Sequence, residues 1–100
     1  MTKCALFVEL KAKPGKEEHV AAFLASALAL VNQEAETVTW FALRFDAQTF
    51  AIFDAFNAES GRDAHLRGRV AEALMANAAE LLALTPEIRR ADVLADKLPV

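Results

Sequence analysis

Two residues stand out for chemistry. His65 carries an imidazole, whose proton affinity lies near neutrality, so it can take or give a proton at physiological pH. Asp54 falls in the middle of a strand-like run, among Phe41, Ile52 and Phe56, where a carboxylate needs a partner because burying a bare charge is costly. That partner is either His65, which Asp54 would then orient, or an arginine such as Arg62 or Arg69 in a purely structural ion pair. The other reactive types recommend themselves less. His19 stands among charges near the start of a helix and reads as solvent-exposed. Cys4 shares a face with Leu6 and Val8 and reads as a small buried hydrophobe rather than a nucleophile. His65 is remote in sequence from both His19 and Cys4, so no metal-ligand spacing recurs and no metal is expected.

The elements that must position these groups are legible from periodicity. Lys3 to Ala12 alternates Cys4, Leu6, Val8 and Leu10 against Ala5, Phe7, Glu9 and Lys11, a strand that Pro14-Gly15 ends. From Lys16 to Gln33, Val20, Phe23, Leu24, Leu28 and Val31 form the stripe of an amphipathic helix, with Glu17 and Glu18 in its first turn, where the helix dipole favours anions. Thr37 to Asp46 and Thr49 to Asn57 are rich in β-branched and aromatic residues and flank Ala47-Gln48, which suggests a hairpin with a two-residue loop. In that register Phe41, Leu43, Phe45, Phe50, Ile52, Asp54 and Phe56 share one face. Val38, Trp40, Ala42, Arg44, Ala51, Phe53, Ala55 and Asn57 share the other. Glu59 to Leu84 is helical, with a break expected around Gly61 and Gly68, and Glu87 to Ala95 is a last strand after Thr85-Pro86.

The order is β-α-β-β-α-β, an α+β ferredoxin-like arrangement: a four-stranded antiparallel sheet with both helical segments on one face. Both faces of the hairpin are substantially apolar, whereas a half-solvated antiparallel sheet shows one polar face. A second copy of the sheet is the obvious cover, so a homodimer closing an α+β barrel is expected. Composition agrees. The chain has 100 residues, 55% of them hydrophobic, and no linker or repeat divides it, so residues 1–100 read as one domain. Alanine accounts for 22 of those hydrophobic residues, leaving 33 larger ones and a modest core for a lone chain. Net charge is only −3 and the two signs are interspersed, which argues against disorder and against a nucleic-acid partner. The uncharged run from Val20 up to Glu34 is too short to span a bilayer, and the opening residues pass straight into strand alternation rather than a signal peptide. One cysteine forms no internal disulfide, so a reducing cytoplasm is the expected location.

Three segments carry a family resemblance: the junction Lys13-Pro14-Gly15-Lys16-Glu17-Glu18, the hairpin from Trp40-Phe41-Ala42-Leu43-Arg44 to Thr49-Phe50-Ala51-Ile52-Phe53-Asp54-Ala55-Phe56-Asn57, and Arg62-Asp63-Ala64-His65-Leu66. With them the chain resembles the antibiotic biosynthesis monooxygenase family, quinol monooxygenase-like members included, of the dimeric α+β barrel superfamily. The resemblance implies a pocket between sheet and helices that takes a small phenol, quinol or polyketide-like aromatic together with O2, and it implies no cofactor. It places His65 and Asp54 as the catalytic pair, with Phe41, Leu43, Ile52, Phe56, Leu66, Val70 and Leu74 around the substrate; the hairpin register puts Val38, Trp40, Phe53 and Ala55 in the dimer interior, and a slip of one residue would move Trp40 into the pocket. This sequence departs from the family pattern in having Asp54 where a Glu is usual, Phe56 where a Trp is frequent, Gly68-Arg69 in place of a second His, and no Tyr. Two functions therefore stand side by side, a cofactor-independent monooxygenase and a non-catalytic small-molecule-binding or stress-response dimer. An isomerase using His65 as a proton shuttle is a third.

Overall fold

The computed structural model describes residues 1–99. In chain order the elements are β1 (Cys4–Lys11), α1 (Glu17–Val31), β2 (Thr37–Arg44), β3 (Thr49–Phe56), α2 (Glu59–Leu66), α3 (Arg69–Leu81) and β4 (Glu87–Asp92). The strands form one antiparallel sheet in the order β2-β3-β1-β4, and the three helices lie on one face of it. This is the ferredoxin-like arrangement that the alternation of periods implies. Gly15 turns the chain from β1 into α1 with φ +85, a left-handed conformation that side chains disfavour. The long helical stretch does break, at Arg67-Gly68, into α2 and α3.

The covered face of the sheet is set by β1, whose Cys4, Leu6, Val8 and Leu10 stand opposite Phe56, Asp54, Ile52 and Phe50 of β3. Against them pack Val20 and Leu24 of α1 and Leu74 and Leu81 of α3, and the whole set is buried. Fully burying side chains of this kind contributes roughly 1.5–3 kcal/mol each. On α1 the inward positions are Val20, Leu24, Ala27 and Val31, while Leu28 is 48% exposed. The stripe is thus rotated slightly from the one marked by the larger residues, because a helix close to the sheet favours the small Ala27 inward.

The hairpin differs from the expected register by one residue. Asp46 accepts hydrogen bonds from the backbone N–H groups of Gln48 and Thr49, at 2.9 and 2.8 Å, and the Phe45 N–H donates to the Thr49 carbonyl at 2.8 Å. The loop therefore holds Asp46, Ala47 and Gln48 rather than Ala47-Gln48 alone. Because side chains alternate with a period of two, the extra residue turns all of β2 over. Trp40, Ala42 and Arg44 now stand opposite Asp54, Ile52 and Phe50 on the covered face, whereas Phe41 and Leu43 stand opposite Phe53 and Ala51 on the open one. A bulge at Val38 shifts the pairing again between Thr37 and Thr39.

The open face keeps the apolar character expected of it. Phe7, Phe53 and Phe41 form a cross-strand row, and Ala5, Ala55, Thr39 and Ala91 form a row of small residues beside it. Phe41 is 52% exposed. Among the described residues no helix is long and apolar enough to cross a membrane.

Candidate functional site

Asp54 reaches the site because β3 alternates. It stands between Leu6 of β1 and Trp40 of β2, on the covered face, and is 1% exposed. His65 arrives from the last turn of α2, whose inward residues are Gly61, Arg62 and His65. Its ring packs at 5.5 Å against that of Phe56, which is itself fully buried. Nε2 of His65 lies 2.9 Å from Oδ2 of Asp54. The two groups face each other as a buried pair, and no other polar side chain among the described residues reaches an Asp54 oxygen. The arginines considered for Asp54 go elsewhere. Arg62 reaches the Ala5 and Ala91 carbonyls and Glu59, and Arg69 reaches Gln33.

The other ring nitrogen shows a residue that the sequence did not bring forward. Nδ1 of His65 lies 2.5 Å from Oε1 of Glu34, in the turn between α1 and β2. The same oxygen accepts the Thr37 hydroxyl at 2.7 Å. This contact depends on two glycines of the helical stretch. A Cβ on Gly61 would stand 3.0 Å from Cβ of Glu36, and one on Gly68 would stand 3.2 Å from Oε2 of Glu34. Glycine at both positions lets the α1–β2 turn close onto α2, three and four residues from His65 along the helix.

The imidazole therefore sits between two carboxylates. Burial is the strongest single influence on it and pulls its pKa down, but the contacts and charges of Asp54 and Glu34 together outweigh burial and leave it above the ordinary 6.5. The two carboxylates thus favour the protonated ring, one facing each of its nitrogens. Glu34 keeps 19% of its side chain exposed. It borders an open cleft of about 300 Å³, shared with Gln33, Glu36, Gly61, Gly68 and Arg69.

On the inner side, His65 and Asp54 wall a small apolar cavity with Leu6, Val8, Ile52, Leu66, Val70, Ala71, Leu74 and Ile88. Its volume is about 30 Å³, comparable to one water's share of the liquid. Four of the seven residues expected around a substrate, Ile52, Leu66, Val70 and Leu74, line this cavity. Phe56 supports the His65 ring from beside it, and Phe41 and Leu43, turned to the open face, border with Leu24, Leu28 and Trp40 a separate apolar groove of about 460 Å³ between α1 and β2. Of the residues expected in a dimer interior, Phe53 and Ala55 lie on the open face. Trp40 lies beneath the helices with its indole N–H buried and unpartnered, and Val38 sits at the bulge beside Leu28 and Asn32. No group of three metal-ligating side chains occurs among the described residues.

No family model and no curated protein matches the chain. Solved structures do. A protein of unknown function from Nitrosomonas europaea is 59% identical, with TM-score 0.97, over 100% of this chain and 97% of that one. A protein described as "Putative antibiotic biosynthesis monooxygenase" from the same organism is 15% identical, with TM-score 0.82, over 92% and 99% of the two chains. Another of that description, from Caulobacter crescentus, is 15% identical, with TM-score 0.80, over 94% and 92%. At such identity the last two speak for the fold alone.

Proposed function

The chain belongs to the family of the Nitrosomonas europaea protein of unknown function and has the antibiotic biosynthesis monooxygenase fold, and from that premise we propose that it oxidises a small phenol or quinol with O2, without a cofactor, as a homodimer. The observation that supports the reading is Asp54, a carboxylate 1% exposed and held only by the His65 ring at 2.9 Å among the described residues, at the wall of an apolar cavity. Such a group is costly to the fold, and buried ionisable groups of this kind gather where chemistry needs them.

In this reading Asp54 accepts the hydroxyl proton of the substrate. The resulting phenolate is electron-rich enough to pass an electron directly to O2, and recombination forms the carbon–oxygen bond. One oxygen atom stays on the substrate and the other leaves as water, with both electrons supplied by the substrate. Ile52, Leu66, Val70 and Leu74 keep the surroundings dry, which strengthens the electrostatic work of the carboxylate and imidazolium. Admitting a ring requires α2 and α3 to move away from the sheet, since the cavity as it stands has the size of a water. The open face, with its row of Phe7, Phe53 and Phe41 beside a row of small residues, supports sheet-to-sheet packing of two copies.

Oxygen uptake with a panel of hydroquinones and anthrone-like phenols tests the reading. Turnover above the uncatalysed rate is expected, strongly reduced by Asp54→Asn and by His65→Ala. If no member of the panel is oxidised faster than in buffer, the proposal is wrong. An apolar groove of about 460 Å³ between α1 and β2, lined by Leu24, Leu28, Trp40, Phe41 and Leu43 and away from Asp54 and His65, favours a second reading, a binding dimer without turnover. That reading predicts ligand-dependent thermal stabilisation with no oxygen uptake.

A further inference from the structure

We propose that Glu34 is the solvent-side end of a proton relay, Asp54–His65–Glu34, that carries a proton from the buried cavity to the cleft at the α1–β2 turn. The inference deepens the proposed oxidation and rests on it for the source of the proton. Its basis is geometric. Among the described residues His65 alone borders both the inner cavity and the outer cleft, and its two nitrogens face opposite carboxylates, Asp54 at 2.9 Å and Glu34 at 2.5 Å. Asp54 is sealed from solvent, so a proton that it accepts has no direct route out. Glu34 is partly exposed at the cleft.

The transfer balances without any further reactant. The substrate O–H bond breaks and its proton joins Asp54. In the neutral ring, with its proton on Nδ1, the bare Nε2 takes the proton from Asp54 as Nδ1 releases its own to Glu34, and Glu34 loses it to water in the cleft. The charges are then those at the start, and turning the ring over brings its bare nitrogen back to Asp54. Thr37, by donating its hydroxyl to Oε1, holds the Glu34 carboxylate in line with the ring. The charged groups facing His65 are Asp54 from β3, Glu34 and Glu36 from the turn, and Arg69 from the start of α3. On its own helix, Arg62 is bound to strand carbonyls and Glu59, and Asp63 is bound to Arg90. Glu34 alone among the turn residues touches the ring, which makes it a positioning residue and proton carrier rather than part of a diffuse field.

The test has two arms. In the first, NMR follows the titration of the His65 ring in the wild type, in Glu34→Gln and in Gly68→Ala, with the backbone spectrum as a check on folding. The His65 midpoint is expected to fall by about one unit or more in Glu34→Gln, on the scale of losing one adjacent opposite charge, and by less in Gly68→Ala. An unchanged midpoint in folded Glu34→Gln overturns the relay. In the second arm, Glu34→Ala is expected to lose at least tenfold in kcat with KM little changed, and to recover saturably with added acetate, which the cleft admits. Wild-type turnover and pH profile in Glu34→Ala also overturn it. A fall in the midpoint in a protein that oxidises no quinol supports the link between Glu34 and His65 and sinks the oxidation instead, so the two failures are distinguishable.

Discussion

If Asp54 and His65 exist for chemistry, replacing both together should cost the fold little, while removing either alone should cost a good deal. His65→Leu leaves Asp54 as a carboxylate 1% exposed, with no counter-charge and with neither oxygen hydrogen-bonded. Stranding one member of a buried pair costs about 3–5 kcal/mol. For a domain of this length that is a large part of a total near 5–15 kcal/mol, and each kcal/mol lowers Tm by roughly 4–8 °C. Asp54→Leu is milder, because His65 retains Glu34 on its other nitrogen. In the double variant Asp54→Leu/His65→Leu no buried charge is left alone. Glu34 still accepts the Thr37 hydroxyl and keeps its edge on the cleft, so it is not stranded either. Apolar replacement of a buried pair is often neutral or stabilising by about 1–4 kcal/mol. The double variant should therefore come within about 1 kcal/mol of the wild type or exceed it, a coupling of at least about 2 kcal/mol between the two sites. Urea denaturation at pH 7 measures this, with Trp40, the single tryptophan, as a reporter next to Asp54. Additive losses in the double variant would refute the reasoning, because the two residues would then be independent supports of the fold.

Three further outcomes follow from the same contacts. His65 has a folded pKa above its unfolded value, so its contribution to stability is complete below about pH 6.5 and is lost as pH rises through the raised value; denaturation midpoints across that window should fall with pH in the wild type and stay level in Asp54→Leu/His65→Leu. Phe53→Asp places a charge in the middle of the Phe7–Phe53–Phe41 row and should convert the proposed dimer to a folded monomer in sedimentation, while a wild-type monomer at micromolar concentration removes the case for packing through the open face. Leu74→Ala should cost about 2–5 kcal/mol in the same denaturation assay and should widen the cavity beside Asp54, so that a small phenol stabilises this variant more than the wild type.

The elements were legible in the sequence because their signals are local. β1 alternates cleanly, α1 repeats at helical spacing, and Thr85-Pro86 separates the last helix from β4. The side that β2 turns to the helices was not legible. Trp40 and Ala42 are apolar on one side of that strand, Phe41 and Leu43 on the other, so alternation gives no preference between the two registers. The turn decided it. Asp46 folds its carboxylate onto the N–H groups of Gln48 and Thr49 and takes a third residue into the loop. Asp is a residue whose side chain builds such turns, so the signal was present at Asp46 rather than in the Ala47-Gln48 pair.

The site was half legible for a related reason. His65 and Asp54 are uncommon residue types in apolar surroundings, and each is conspicuous where it stands. Glu34 is one of several acidic residues near the end of α1, and 31 positions separate it from the ring that it touches. What marks it is on the other side of the contact. Gly61 lies inside α2, where glycine costs helix stability about 1 kcal/mol relative to alanine with no local return, and Gly68 caps the start of α3 beyond the break. The return is the approach of the α1–β2 turn, where a methyl group on either glycine would press against Glu36 or Glu34. A helical histidine with glycine on both sides is thus a sign that another segment must come close. Here that segment supplies the second carboxylate, which turns a buried pair into a path that reaches water.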